Sequence, residues 1–186
     1  MNPAVFPVAL QVLFALCAPT VSPITLSAIV RTESGGNPHA LHINGPAAGL
    51  THSPRNREEA AQVAHRALDA GYSVDLGLMQ VNTNTARPFH YSVEQLLDPC
   101  TNLAVGSSIL TQAYSHTARL YGPGQRALRI ALSIYNTGSP RRGIENGYVR
   151  RVVRRAPPKS PEFATRTPAP SSVARNAGGQ RVRGQW

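Results

Sequence analysis

Punctuation by glycine and proline is the feature that most limits how this chain can fold. Ala18-Pro19, Gly35-Gly36, Gly71, Gly122-Pro123-Gly124 and Gly138-Ser139-Pro140 break the sequence at intervals that suit short and medium helices. Between the breaks, apolar residues recur at helical spacing, and no convincing set of strands is evident. The pattern predicts helices over about 5–17, 23–34, 54–70, 99–121, 125–135 and 145–155. Ser22-Pro23 and Ser53-Pro54 supply start signals, and Ser92 with Gln95 forms a capping box for one further short helix. Residues 37–52 read as loop, and 72–84 as a loop or a short irregular hairpin. The expected fold class is mainly α, and 186 residues suffice for one domain with a core.

Charge divides the chain unevenly. Residues 1–140 hold eight Arg against seven Asp or Glu, whereas 141–186 hold eleven Lys or Arg against two Glu. From Ala156 the composition turns to Pro, Ser, Thr, Ala, Gly and Arg, with too few apolar residues to offset the entropy of ordering. The expected organisation is therefore a domain over 1–155 and a disordered basic tail over 156–186. Such a tail suits an anionic partner or simply a solvated end. The arginines of 141–155 lie on one short helix with no base-reading pattern, so no nucleic acid is expected, and Tyr148, Val149, Val152 and Val153 would dock that helix on the core. His39, His42 and His52 are loosely spaced with no acidic residue near, so neither a metal nor any cofactor is expected. The apolar run Val5 to Leu16 is too short to span a membrane and lacks a basic leader, and it reads as a buried first helix. Cys17 and Cys100 show no metal-ligand spacing. They could form one disulfide or remain two buried thiols.

One carboxylate stands out. Leu26, Ile29, Val30 and Glu33 follow i, i+3, i+4, i+7 spacing, which puts Glu33 on the apolar face of its helix, close to the Gly35-Gly36 stop. Burial raises a carboxyl pKa, as a general acid near neutral pH requires; an end-of-helix glutamate paired with an arginine is the structural alternative. Three ordered segments favour the acid: Glu33-Ser34, then Gly77-Leu78-Met79-Gln80, then Tyr135-Asn136-Thr137-Gly138. Together they resemble the signature of the lytic transglycosylases of the lysozyme-like superfamily. Three features bring the resemblance closest to the group that accompanies type IV secretion systems: Cys17-Ala18-Pro19, the helical insertion between the first two segments, and Asp98-Pro99-Cys100 with Asn102-Leu103.

The resemblance implies a lysozyme-like domain and assigns roles. Glu33 would be the catalytic acid, then base. Ser34 would orient local structure. Gly77, Leu78, Met79 and Gln80 would wall the groove, with Met79 packing on sugar and Gln80 hydrogen-bonding it. Tyr135 would approach the Glu33 carboxyl, and Asn136 would support that corner. Ile134 stands where relatives often carry a further cysteine, so Cys17 and Cys100 would pair with each other. The implied substrate is peptidoglycan glycan strands, cut without a cofactor in the periplasm, with secretion-system components reached through the tail. Asp75 is the one other acid before residue 141 that could reach the groove. A true hydrolase would need it as a second carboxylate. A wall-binding scaffold with little catalysis would need neither acid.

Overall fold

A computed structural model describes residues 8–45, 51–52 and 54–157. The tail expected over 156–186 therefore lies, from residue 158 on, outside the described residues, as does the start of the first helix. Within them the chain is mainly helical, and the breakers act as expected. Pro23 opens α2 (Pro23–Glu33), and Gly138, at φ 67°, ends α7 (Gln125–Thr137). Pro99 opens the long α6 (Pro99–Tyr121), whose first turn is capped by Asp98 through Thr101 N. The capping box at Ser92 forms as read and starts α5 (Val93–Leu96). Three boundaries move. α3 (Arg57–Asp69) begins at Asn56, whose side chain accepts from Glu59 N, so it starts later than Ser53-Pro54 would place it. A short α4 (Thr83–Ala86) follows residue 82. The helix read over 145–155 is two, α8 (Arg142–Glu145) and α9 (Tyr148–Arg155), separated at Gly147 with φ 77°.

Strands are the larger correction over 37–52, which reads as loop, whereas over 72–84 the hairpin alternative forms. β1 (Leu41–Asn44), β2 (Thr51–His52), β3 (Ser73–Leu76) and β4 (Val81–Asn82) form an antiparallel sheet in the order β2-β1-β3-β4. Segments of two to four residues are too short for alternation to register as a pattern. The β1–β3 pairing, Leu41 opposite Leu76 and Ile43 opposite Val74, turns those four side chains into the core. The sheet with the helices makes the lysozyme-like α+β arrangement.

Burial follows the helix periodicity. Leu26, Ile29 and Val30 of α2 are fully buried, and α9 closes over α2 with Tyr148, Val149 and Val152. The first helix, α1 (Val8–Cys17), is not buried as expected. It turns Phe14 inward and leaves Val8, Val12 and Leu16 exposed. α1 packs on α6, and a Cys17–Cys100 disulfide fastens the two. Closing a loop of 83 residues stabilises the fold by about 4–5 kcal/mol in the chain-entropy account. Among the described residues, no helix is long and apolar enough to cross a membrane.

Candidate active site

Glu33 is the last residue of α2. The three aliphatic residues of its helix face are locked in the core, so the carboxyl leaves the helix where the core ends and a groove begins. Two clefts meet there, one of about 620 Å³ and one of about 500 Å³. Both are lined by Glu33, Asn44, Asp75, Gln80 and Asn136. The acid thus stands where the two clefts share their lining. Burial raises the Glu33 pKa from 4.5 to about 7, with a smaller push from the charge of Asp75. A hydrogen bond from Tyr148 and the charge of Arg151 act the other way and do not offset the burial. A carboxyl balanced near neutrality can donate a proton and later accept one.

The wall facing Glu33 is the turn between β3 and β4, and its sequence is Gly77-Leu78-Met79-Gln80. Gly77 adopts φ 74°, and a Cβ there would lie 2.5 Å from the Asn102 amide, so both conformation and space demand glycine. Asn102 is buried in α6 and holds the turn from below. Its Oδ1 accepts from Met79 N at 2.8 Å, and its Nδ2 donates to the carbonyls of Leu76 and Leu96, each at 2.8 Å. Ser34 Oγ donates to Leu78 O at 2.8 Å, tying the end of the acid-bearing helix to the same turn. Gln80 is in the left-handed region at φ 48°, and its amide donates to Ala40 O and Gly77 O at 3.0 Å each. Three of the turn's four residues, Gly77, Leu78 and Met79, line neither cleft. Leu78 and Met79 are buried, and Met79 packs against Gly106 instead of lying open to a sugar. A side chain locked under the turn supports the groove from behind; Gln80 is the member of the turn that lines it.

Tyrosines show the second difference. Tyr135 lines the larger cleft, but its hydroxyl donates to Met79 O at 2.7 Å. The phenol that reaches the acid is Tyr148, the first residue of α9, with its hydroxyl 2.5 Å from Glu33 Oε1. Burial and the Glu33 charge hold both phenols well above their usual pKa, so both stay protonated donors. Tyr148 was legible only as a docking residue, and it does dock. The overlooked signal is that a phenol on the inward face of a helix needs a buried acceptor. Asn102 was likewise visible in the sequence without its role under the turn. Asn136 lines both clefts and accepts from Asn146 Nδ2 at 3.0 Å. Asp75, on β3, faces the groove and accepts from Asn82 at 2.6 Å and Asn44 at 3.0 Å, amides of the two flanking strands. Among the described residues, no group of three His, Cys, Asp or Glu is placed to hold a metal ion.

Comparisons with known proteins converge on one family. Residues 12–152 match the model of the transglycosylase SLT domain. Protein virB1 of Agrobacterium fabrum (strain C58 / ATCC 33970) is 41% identical over 138 residues, covering 73% of this chain and 54% of that protein. The type IV secretion system protein virB1 of Brucella suis biovar 1 (strain 1330) is 37% identical over 148 residues, covering 76% of this chain and 61% of that protein. The chain thus spans little more than half the length of these curated relatives. No solved structure matches it.

Proposed function

The chain belongs to the transglycosylase SLT domain family, and from that premise we propose that it is a peptidoglycan lytic transglycosylase that opens the cell wall locally for a type IV secretion or conjugation apparatus. The observation that carries the reading is the place of Glu33: a carboxyl with a pKa of about 7 where two adjoining clefts share their lining. A polymer laid along both clefts puts one internal bond at the acid. The names of the virB1 relatives support the secretion context, and that context implies action in the periplasm.

In the proposed reaction, protonated Glu33 donates to the glycosidic oxygen between N-acetylmuramic acid and N-acetylglucosamine. The bond from the anomeric carbon to that oxygen breaks. The substrate's own N-acetyl oxygen stabilises the cationic centre. Glu33, now a carboxylate, removes the proton of the muramic 6-hydroxyl, whose oxygen attacks the anomeric carbon. A 1,6-anhydro end forms, the acid recovers its proton, and no water is consumed. Tyr148 orients the Glu33 carboxyl. Gln80, Asn136 and Ser34 shape the groove, Ser34 and Asn102 by holding its turn. The domain over 1–155 would carry this chemistry, and the basic residues beyond it would meet acidic partners in the secretion apparatus.

Asp75 keeps one alternative open to test, because a second carboxylate on the groove suits a hydrolase. Digestion of purified peptidoglycan by the wild type and by Glu33→Gln, with products read by mass, separates the readings. Anhydro-muropeptides from the wild type, reduced about a hundredfold or more in Glu33→Gln, are expected. Reducing ends, heavier by one water, would make the protein a hydrolase. Wall binding without products would make it a scaffold.

A further inference from the structure

The outer side of α9 holds a feature that the groove does not use. A trough of about 360 Å³ lies between α7, α8 and α9, lined by Arg129, Ile144, Val149, Arg150, Val153 and Arg154. Its floor is aliphatic, and Ile144 and Val153 are 48% and 45% exposed. Its lining has three guanidinium groups and no acid.

Three neighbouring arginines are engaged. Arg142 donates to Thr137 O, Arg151 donates to Asn146 O and lies over the Tyr148 ring, and Arg155 donates to Arg31 O. The side chains of Arg129, Arg150 and Arg154 form no hydrogen bond or ion pair with the described residues. Arg150 and Arg154 also stand at i, i+4, a like-charge spacing that is unfavourable unless an anion sits between them.

We propose that this trough is a docking site for an acidic peptide segment of a partner protein, one aliphatic side chain seated on the Ile144–Val149–Val153 floor and carboxylates paired with Arg129, Arg150 and Arg154. Charge complementarity selects an acidic occupant, and planar guanidinium groups suit carboxylates through paired hydrogen bonds. The concave apolar floor selects a peptide over a lipid surface, because it takes a single projecting side chain. The opposite face of the same helix carries Tyr148 on Glu33, so the occupant would sit one helix away from the acid. This site is separate from the basic tail and does not depend on the reaction assigned to the groove.

The test is fluorescence anisotropy of the full chain with a labelled peptide, Glu-Leu-Glu-Glu-Leu-Glu, against the same peptide with serine for leucine. Arg129→Gln/Arg150→Gln/Arg154→Gln is compared with Arg66→Gln/Arg87→Gln/Arg119→Gln, which removes equal charge elsewhere. The trough variant is expected to weaken binding about tenfold or more, and the control variant about twofold or less. Val153→Ser, a surface change that leaves every charge in place, is expected to weaken the leucine peptide alone. Equal losses in the two triple variants would overturn the proposal in favour of net charge. So would equal binding of the leucine and serine peptides. Binding to phosphatidylglycerol vesicles that is lost in the trough variant, with no peptide binding, would overturn it in favour of a membrane-facing surface.

Discussion

Two glutamates, one in the groove and one on the surface, both sit at hydrogen-bond distance from other side chains, with contrary results. On the groove side, Tyr148 donates to Glu33 at 2.5 Å, and the carboxyl still titrates near 7. On the α3–α5 flank, Glu94 lies 2.7 Å from His65 Nε2, accepts from Ser92 as well, and is drawn down to about 2. The hydrogen bond lowers the pKa in both places. Glu94 has more donors, Ser92 and its own backbone N–H besides His65, and it also keeps its water. Glu94 and His65 are each about half exposed, so the charged form of Glu94 keeps its hydration. Glu33 lies against the core formed by α2 and α9, and the loss of hydration outweighs one phenol. A polar contact therefore states little about a carboxylate until its solvent exposure is known.

The contrast can be broken from the groove side first. Asn102→Ala would orphan Met79 N and two buried carbonyls under the turn facing Glu33. It is expected to cost about 3 kcal/mol or more in denaturant unfolding, and a loss under about 1 kcal/mol would show that the turn holds itself. Glu33→Gln tests the burial directly. A carboxyl raised from 4.5 to about 7 on folding contributes stability that is complete below pH 4.5 and lost as pH rises through 7. Glu33→Gln is therefore expected to stabilise the fold at pH 8 by up to about 3 kcal/mol. It should have little effect at pH 4, and melting temperatures at the two pH values check this. An equal effect at both would separate stability from the titration of Glu33.

Tyr148→Phe sharpens the comparison by removing the phenol that lowers the Glu33 pKa. The alkaline limb of the activity profile is expected to move to higher pH, with a stability loss of about 1 kcal/mol. An unmoved limb would mean that Tyr148 does not act on Glu33. The smallest effect belongs to the solvated flank. Glu94, lowered on folding, contributes stability present above pH 4.5 and lost as pH falls through about 2. In water that contribution is screened, so Glu94→Gln is expected to cost about 0.5 kcal/mol at pH 7 and nothing near pH 2. A cost as large as that of Asn102→Ala would erase the distinction between the two sites.

Legibility in the sequence followed the range of the interactions. The helix carrying Glu33, the capping box at Ser92 and the Gly138 stop are set by residues within one or two turns of each other, and periodicity and capping report those. Beyond the hairpin over 72–84, the sheet is not legible, because strands of two to four residues are held by cross-strand pairing, which leaves too short a pattern along the chain. The resemblance assigns Met79 to the groove, whereas its burial against Gly106 depends on how α6 passes beneath the turn.

By itself the sequence determined most of the helices and their breakers, and that Glu33 emerges from an apolar face. Tertiary structure alone decided which tyrosine meets the acid, since Tyr148 and Glu33 are 115 residues apart and their contact depends on α9 closing over α2. It also decided the acidity of Glu33. A pKa measures the loss of water around a charge, and water is excluded only when distant segments pack together.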